Sequence, residues 1–423
     1  MKIKKLWGTQ ILDSRGFPTV QCNLLLDNDI LIKSGVPSGA SVGQQEALEL
    51  RDGDDKKYFG KGVLQAIRNI DEKIAPIIVG FEPDFKIIDQ KLLELDGTEN
   101  KSNLGANAIL AVSIAAVRAQ AFCQKKELYK LIADEFGNNN IILPKVMFNI
   151  LNGGVHADNK IPFQEFMIMP QKDNFSENLQ MSVIVYQNLK RILKKEGYCT
   201  GVGDEGGFAP DIAANSSSVI NRVLKFLQRA VDVSGFNLGN DVVFCLDVAA
   251  SQFYNSEKKY YSLGDKKFSS DDIIEFYDSL VSDYPIFSIE DALDEQDWSG
   301  WQNLTEQLGK RIQLVGDDIF VTNTNLIKKG IEQKVANAVL IKPNQIGTVT
   351  ETLAAIKLAN DNNYKCVISH RSGETCDTFI SDLVVGTGAG QLKAGAACRG
   401  ERVAKYNRLL EIEESSYRRD SVL

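Results

Sequence analysis

The 423-residue sequence predicts an α/β protein in which an N-terminal α+β capping domain, residues 1–138, precedes a C-terminal (β/α)8-type barrel, residues 139–423. Three observations support this fold class. The length suits two or three domains of about 150 residues each. The first third reads as strands followed by helices. The remainder repeats a short apolar strand and a helix-length segment at nearly regular intervals, as barrels of this type do.

The N-terminal domain starts with two β-rich segments, Thr19–Leu26 and Ile30–Val36, which are separated by the typical hairpin signal DND at 27–29. Helical periodicity follows, and the turn-rich stretch FGNNN at 136–140 ends it. We therefore predict a small α+β domain with helices at roughly 62–75, 84–95, 106–125 and 127–135.

Six short apolar segments in the second part each end at a residue that carries reactive chemistry. Consecutive end residues lie 23 to 43 positions apart, and one strand, one helix and two loops need roughly 25 residues. Because the carboxyl ends of barrel strands meet at one mouth, we predict that the six side chains converge there. The alternative is that they are only solvated caps on strand ends. The six residues are Asp247, Glu290, Asp317, Lys342, His370 and Lys393.

The charge balance argues against several classes of partner. Lys and Arg total 48 against 56 Asp and Glu, which gives a formal net charge of -8. Because nucleic-acid-binding surfaces are basic, we predict neither nucleic-acid binding nor attachment to an anionic membrane. A small anionic substrate is compatible with this composition, since local cations can override the global charge.

No segment predicts export or a membrane span. Residues 1–16 lack the apolar run of a signal peptide. The longest apolar stretch, Ala106–Cys123, is interrupted by Asn107, Ser113 and Arg118, so we interpret it as a packed helix. Seven scattered cysteines without C-x-x-C spacing indicate reduced thiols, and we therefore predict a cytoplasmic protein.

The residues expected at the barrel mouth suit metal-assisted acid–base chemistry. Their three carboxylates form an oxygen-only set, which favours Mg2+. Lys342 and Lys393 would face these acids, and nearby divalent cations together with the second lysine would lower the pKa of a lysine enough for it to act as a base near neutral pH. The run HRSG at 370–373 offers a guanidinium, a hydroxyl and loop amides that could bind an oxyanion or a phosphate.

Glycine-rich loops add polar groups near the mouth. The segment GVGDEGGFAP at 201–210 carries two adjacent acids, one of them Glu205, and NGGVHA at 152–157 carries His156. Each loop alone is weak evidence, because a Gly-Gly turn next to an acid is usually only a turn. The hydroxyls of SGAS at 38–41 would reach a metal or phosphate if that loop formed a lid over the barrel.

A series of motifs, in order along the chain, is shared with one known family. They include LDSRGFPT at 12–19, VPSGAS at 36–41, EALELRDGD at 46–54, KSNLGANAIL at 101–110, QEFMI at 164–168, GDEGGFAP at 203–210, SIED at 288–291, GDD at 316–318, LIKPNQIGT at 340–348, SHRSGET at 369–375 and ERVAKYN at 401–407. Over essentially its full length the chain resembles the enolase (phosphopyruvate hydratase) family. The resemblance implies a Mg2+-dependent, reversible dehydration of 2-phosphoglycerate to phosphoenolpyruvate, a step of glycolysis and gluconeogenesis.

The resemblance also implies residue roles and an assembly. Lys342 matches the base that removes the C2 proton, Glu205 matches the acid that helps the C3 hydroxyl to leave, and Ser41 belongs to a lid loop that joins a second, catalytic Mg2+. The ligands matched to a first Mg2+, which has a structural or conformational role, are Asp247, Glu290 and Asp317. The matched substrate contacts are Arg371 and Ser372 for the phosphate, Lys393 for the carboxylate, and His156, Gln164, Glu165 and His370 elsewhere in the pocket. A homodimer or larger homo-oligomer is the assembly implied.

Elementary chemistry agrees with such roles. A C–H proton next to a carboxylate is very weakly acidic, because its removal makes a dianionic enolate, and nearby cations can lower that barrier. Pairing a lysine base with Mg2+ is a known pattern of the enolase superfamily rather than a deduction from this sequence. Glu205 has to be protonated to release the hydroxyl, and we expect Glu165 and Asp204 nearby to raise its pKa.

Several positions depart from the family pattern, beside the matched site residues rather than at them. They are Phe17, Val42, Ala292, Ala394, Ala397 and Gly400. Neutral substitution, or repacking that compensates for it, would explain these differences. They would also be expected if the chain were a paralogue that acts on a modified substrate, such as a phosphonate analogue. A third alternative is a non-catalytic scaffold protein that keeps the fold. The presence of the matched acid, base and metal ligands argues against it.

Overall fold

The structure is a computed structural model that describes residues 1–40, 43–212, 216–264 and 266–420. Its N-terminal part begins with an antiparallel sheet of three strands in sequence order, namely β1 (Ile3–Leu12), β2 (Pro18–Leu26) and β3 (Leu31–Gly35). The predicted hairpin joins β2 to β3. The sequence does not predict β1, because its residues IKKLWGTQIL lack the alternation of apolar and polar residues that marks a strand. In the structure, only Ile3 and Leu6 of this strand are buried.

The predicted helices of this part are present. They are α1 (Leu64–Arg68) and α2 (Ala75–Ile78), joined by a π-helical turn, followed by α3 (Phe85–Asp96), α4 (Ala106–Cys123) and α5 (Leu128–Phe136). Within the described residues, α4 alone is long and apolar enough to cross a membrane, and 83% of it is buried inside the protein. It is a core helix that packs on β2 and β3, as its interrupted apolar pattern predicts.

The second part contains a closed eight-stranded barrel, as predicted. Around the barrel the strands follow chain order, and a small antiparallel sheet of β7, β8 and β9 stands apart from it. In chain order the strands are β4 (Lys145–Asn152), β5 (Glu165–Pro170), β6 (Val242–Asp247), β7 (Tyr254–Asn255), β8 (Tyr260–Leu263), β9 (Lys266–Phe268), β10 (Ile286–Glu290), β11 (Gln313–Gly316), β12 (Ala338–Ile341), β13 (Lys365–Ser369) and β14 (Gly390–Lys393).

One barrel strand departs from the expected parallel arrangement. Strand β5 runs antiparallel to both of its neighbours, β4 and β6. The connection 153–164 holds only one short 3-10 turn, Gly154–His156, and is too short for the helical crossover that a parallel pair requires. Because β5 is reversed, its first residue rather than its last lies at the mouth where the other strands end.

Helices surround the barrel strands and begin at recognisable caps. The Ser269 side chain forms a capping box with Asp272 at the start of α8, and the Thr348 side chain accepts from the Glu351 amide at the start of α12. In chain order these helices are α6 (Phe175–Lys195), α7 (Ser216–Val233), α8 (Ser270–Asp283), α9 (Trp298–Leu308), α10 (Thr324–Gln333), α11 (Pro343–Ile346), α12 (Val349–Asp361), α13 (Phe379–Thr387) and α14 (Gly400–Asp420).

The capping domain packs on the loops that follow β12 and β13. Helix α4 contacts α11, and the backbone of Ser38 pairs with that of Gly373 through two hydrogen bonds of 2.7 and 2.9 Å. At α12, the Asp89 carboxylate of α3 accepts from the amide and the hydroxyl of Thr350 at 2.9 and 2.6 Å. The capping domain therefore lies at the mouth of the barrel. The division at 138/139 stays a prediction.

Candidate active site

The alternation of side chains along the barrel strands explains why reactive residues gather at the mouth. In β12, Ala338 and Leu340 belong to a buried cluster made only of barrel-strand residues, whereas Val339 and Ile341 belong to the larger core that includes the surrounding helices. Lys342, two residues after Leu340, continues the inner row. The same two-residue step connects inner Cys245 to Asp247 and inner Val315 to Asp317, and in reversed β5 it connects Met167 to Glu165.

Lys393 joins the acids of three strands at the centre of the site. Its Nζ lies 2.7 and 2.8 Å from the two carboxylate oxygens of Glu290, 3.1 Å from Asp247 Oδ2 and 3.3 Å from Glu165 Oε1. Burial lowers the pKa of Lys393, but Asp247, Glu165 and Glu290 oppose it and raise that pKa well above its usual value. Gln164 donates to the same Asp247 oxygen at 3.3 Å.

Lys342 forms a second ion pair, with Asp317. Asp317 also accepts from Gln345 Nε2 at 2.9 Å, and the Lys342 amide donates to Thr322 Oγ1 at 2.9 Å. Burial lowers the pKa of Lys342, but the charge of Asp317 outweighs burial, so the pKa is raised. The expectation of a lowered lysine pKa concerns a lysine beside divalent cations, so it stays a prediction.

Glu205 lies in a buried group on another side of the cavity. His370 Nε2 is 3.1 Å from Glu205 Oε2, and the same oxygen accepts a hydrogen bond from Asn149 Nδ2 at 3.0 Å. His156 Nδ1 is 3.7 Å from Glu205 Oε1 and 3.6 Å from Glu165 Oε1. The predicted proximity of Glu205 and Glu165 is confirmed through this shared histidine.

The expected proton distribution within this group is wrong. Burial raises the pKa of Glu205, but His370, His156 and Arg402 outweigh burial and hold that pKa well below its usual range. Burial and the charge of Glu205 raise the pKa of Glu165 well above its usual value. Burial also lowers the pKa of His370 to about 4. The structure thus favours an ionised Glu205 beside a protonated Glu165, the reverse of the expected raised pKa of Glu205.

Arg371 is held between the barrel and the capping domain. Its guanidinium donates to both carboxylate oxygens of Glu46 at 2.9 and 3.1 Å and to Asn344 Oδ1 at 3.1 Å. Ser372 follows it, and the Ser38–Gly373 backbone pairing fixes the same loop. Ser41, the residue expected on the lid, lies outside the described residues.

Most of the predicted residues line one small cavity at the mouth. It comprises about 250 Å3 of non-atom space, part of which is open to solvent. Glu290 and Asp317 lie just behind its wall, against the two lysines. The cavity is lined by Ala40, His156, Gln164, Glu165, Glu205, Asp247, Lys342, His370, Arg371, Ser372 and Lys393.

The acidic groups of the site could hold a metal ion. Asp247, Glu290 and Asp317 are all buried and offer only oxygen ligands, a set that suits a hard divalent cation. Two further oxygens that line the cavity, Gln164 Oε1 and Glu165 Oε2, are buried and have no hydrogen-bond partner among the described residues. Such unpaired buried oxygens fit a site built for a cation.

The tightest acidic groupings differ from the predicted ligand set. Within the described residues, ligand atoms approach within 4.8 Å of one another in two triads, His156–Glu165–Glu205 and Asp291–Asp317–Asp318. Asp317 is the one predicted ligand in a triad. Asp291 accepts from the Asp317 and Asp318 amides at 2.8 and 3.1 Å, which orients the loop that carries Asp317.

Three residues of the site are not predicted from the sequence. Glu46 and Arg402 lie in quoted motifs, EALELRDGD and ERVAKYN, but Glu46 pairs with Arg371 across 325 residues and Arg402 contacts His370 across 32 residues, and no local pattern assigns them a role. Asn149 lies on a barrel strand that the sequence analysis does not single out. Only pairing in three dimensions identifies these residues.

Comparison with known proteins decides the family. The family model described as "Enolase, N-terminal domain" matches residues 3–132, and "Enolase, C-terminal TIM barrel domain" matches residues 140–419. The chain belongs to the enolase family. Among its relatives, the curated "Enolase" of Legionella pneumophila (strain Lens) is 52% identical over 416 residues, which cover 98% of this chain and 97% of the relative. That of Legionella pneumophila (strain Corby) is 51% identical with the same coverage.

Membership of the enolase family confirms the predicted fold class and resemblance. Four of the departures from the family pattern lie in the barrel part of the chain. Ala292 and Ala394 are buried, and Ala397 is partly buried against the core. Gly400 begins α14, and Val42 lies outside the described residues. Nothing in this arrangement favours the paralogue or the scaffold alternative.

Proposed function

We propose that this member of the enolase family catalyses the reversible dehydration of 2-phosphoglycerate to phosphoenolpyruvate, with Lys342 as base and Glu205 as acid. The observation that carries the proposal is the meeting of both residues at one buried cavity, in a chain about half identical to curated enolases over nearly its full length. Abstraction of a proton and release of a hydroxyl need two groups of different character at adjacent carbons, and the cavity offers an amine and a carboxyl group.

Lys342 would remove the proton from C2 of the substrate. Its position is fixed by the strand β12 and by the hydrogen bond of its amide to Thr322, so the amine is presented to the cavity at little conformational cost. The ammonium form of Lys342 cannot accept a proton, so the ion pair with Asp317 has to break before the reaction. Mg2+ held by Asp247, Glu290 and Asp317 would supply positive charge that stabilises the dianionic enolate and disfavours the ammonium form of Lys342.

Glu205 would give a proton to the C3 hydroxyl as the C–O bond breaks. The substrate is itself an anion with a phosphate and a carboxylate, and it favours proton uptake by acids close to it. Glu165, whose raised pKa favours its protonated form, is adjacent to Glu205 across His156. This group would supply the proton that the leaving hydroxyl takes, while Lys342 would take the C2 proton, so the dehydration consumes no proton overall.

The remaining pocket residues would bind the substrate. Arg371 and Ser372 would bind the phosphate, because a guanidinium fork matches phosphate oxygens. Lys393 would bind the substrate carboxylate, and Ser41 would join a second Mg2+ bound with the substrate. His156, Gln164, Glu165 and His370 complete the proposed pocket.

The test is a Mg2+-dependent assay of phosphoenolpyruvate formation from 2-phosphoglycerate by the purified chain. Turnover that is lost on chelation and restored by Mg2+ would support the proposal. Turnover of a phosphonate analogue alone would favour the paralogue, and no turnover of either compound would favour the scaffold.

We propose further that the protein works in the cytoplasm as a homodimer or larger homo-oligomer. The family resemblance supports the assembly, and seven unpaired cysteines, all within described residues, suit a reducing compartment. Light scattering coupled to size-exclusion chromatography measures the assembly, and a mass of 46.8 kDa would contradict the proposal.

A further inference from the structure

Arg402 is a fully buried cation that touches the backbone and the imidazole beside the proposed acid. It lies in the first turn of α14 and is 0% exposed. Its Nη1 contacts His370 Nδ1 at 2.5 Å and the Arg371 carbonyl at 2.6 Å, and its Nη2 donates to the carbonyls of Ser372 and Asp204 at 2.5 and 3.0 Å. All four Nη hydrogens therefore have an acceptor.

The contact with His370 fixes the tautomer of that histidine. A guanidinium has no acceptor and stays charged in proteins, so at this contact Arg402 donates and His370 Nδ1 accepts. A neutral imidazole has one hydrogen, which must then lie on Nε2. A doubly protonated imidazole would place an N–H against the guanidinium N–H, and the geometry excludes it.

The tautomer in turn determines which oxygen of Glu205 can hold a proton. His370 Nε2–H lies 3.1 Å from Glu205 Oε2, and Asn149 Nδ2 donates to the same oxygen at 3.0 Å. Asn149 donates to Oε2 and the His370 N–H faces the same oxygen, so the acidic proton is placed on Oε1, away from both N–H groups. That oxygen lies 3.7 Å from His156 Nδ1, which has no hydrogen-bond partner in the described part of the chain.

We infer that Arg402 is a positioning residue that holds His370 as the Nε2–H tautomer and so directs the acidic proton of Glu205 to Oε1. The inference rests on the proposed function only for the use of that proton. In the dehydration the C3–O bond breaks, its electron pair stays on the oxygen, and that oxygen takes the Oε1 proton and leaves as water. Glu205 is left as a carboxylate that accepts from Asn149 and faces the His370 N–H.

Nitrogen NMR of the chain labelled with 15N-histidine tests the inference directly. The protein has only two histidines, so two imidazoles appear, and His156→Asn assigns them by the loss of one. In the unsubstituted protein at neutral pH we expect the hydrogen of His370 on Nε2, with Nδ1 unprotonated. A hydrogen on Nδ1, or on both nitrogens, would overturn the inference without any variant.

Three variants separate positioning from packing. Arg402→Met removes the donor, and we expect a mixture of His370 tautomers; Arg402→Lys keeps a donor, and we expect the Nε2–H form to be retained. Arg399→Met is the control, because Arg399 contacts Glu401 and the carbonyls of Ser14 and Gly203. An unchanged tautomer in a folded Arg402→Met would contradict the inference.

The kinetic counterpart distinguishes this inference from the proposed function. For Arg402→Met we expect a loss of dehydration of about 10- to 100-fold, with exchange of the substrate C2 proton within about twofold of the parent, because Lys342 is untouched. Equal losses of exchange and dehydration would refute a specific effect on the acid. If the parent shows the expected tautomer but turns over no 2-phosphoglycerate, the proposed function fails and the assignment of His370 stands.

Discussion

Lys342 and Glu205 lie in the same cavity, but opposite charges surround them: an acid holds the lysine as ammonium, and cationic or donor groups hold the glutamate as carboxylate. A Mg2+ ion bound beside Lys342 would oppose the first effect, because positive charge disfavours the ammonium form. An anionic substrate beside Glu205 would oppose the second, because it favours proton uptake by the acid.

Removing the amine of Lys342 should abolish the first step. For Lys342→Ala we expect exchange of the substrate C2 proton with solvent to fall by a factor of about 10^2 to 10^4, the usual contribution of a positioned base. NMR of 2-phosphoglycerate in heavy water measures this exchange. Lys328→Ala, an exposed lysine on α10, is the control; normal exchange in Lys342→Ala would refute the role of the base.

Neutralising Glu205 should separate the two steps. For Glu205→Gln we expect exchange at C2 to persist while phosphoenolpyruvate formation falls by about 10^2- to 10^4-fold, since the amide cannot deliver the proton. Parallel measurement of exchange and product on one sample checks this. Asp204→Asn changes the adjacent acid as a control, and full dehydration by Glu205→Gln would remove Glu205 from the mechanism.

At the scale of elements, the barrel strands show what sequence can and cannot predict. Strands β6 and β10 to β14 are apolar runs that end on a reactive residue, so pattern and spacing identify them and most of the site. Strand β5 is equally apolar, but its direction depends on the length of its connection to β4, and its reactive residue precedes the apolar run. The direction of the pKa shifts is not predictable either, because it depends on which charges lie within a few ångströms.

The loop after β13 offers a test of how the capping domain supports the site. A Cβ on Gly373 would lie 2.5 Å from Asp13 Oδ2 and 2.8 Å from the Ser38 carbonyl, so Gly373→Ala should separate the two loops. Arg371 and Ser372 would move with this loop, and we expect KM for 2-phosphoglycerate to rise about tenfold or more, as for a lost charged hydrogen bond. Steady-state kinetics measures this.

Gly400→Ala is the matched control for that substitution, because a Cβ at Gly400 meets no atom within 4 Å and its backbone is not in the left-handed region. We expect its KM to stay at the parent value. An unchanged KM in Gly373→Ala would show that the backbone pairing does not support phosphate binding.

At the scale of the whole molecule, the capping domain and the barrel meet at a buried carboxyl group. Burial raises the pKa of Asp89 to about 6, although Ser113 and Thr350 lower it in part. Because the folded pKa lies above the unfolded one, the folded state binds the proton more tightly, and stability falls as pH rises from about 4 to about 6. The difference corresponds to about 3 kcal/mol.

Asp89→Asn should remove this pH dependence. We expect the variant to match the parent at pH near 4 and to exceed it by up to about 3 kcal/mol at pH 7, because the amide imitates the protonated acid. Urea unfolding at the two pH values measures the difference. Glu94→Gln alters an exposed carboxyl group of the same helix as a control; equal stability gains at both pH values would contradict the prediction.

Because β5 is reversed, the length of the connection 153–164 determines which residue of β5 lies at the mouth of the barrel. Glu165 pairs with Asn152 on one side and with Asp247 on the other, and successive residues of β5 face alternately the cavity and the helices. Deleting or inserting a single residue in this connection would offer Phe166 or Gln164 where Glu165 now lies. Most surface loops tolerate such length changes, whereas here a change of one residue would place an apolar or an amide side chain at the position of the acid.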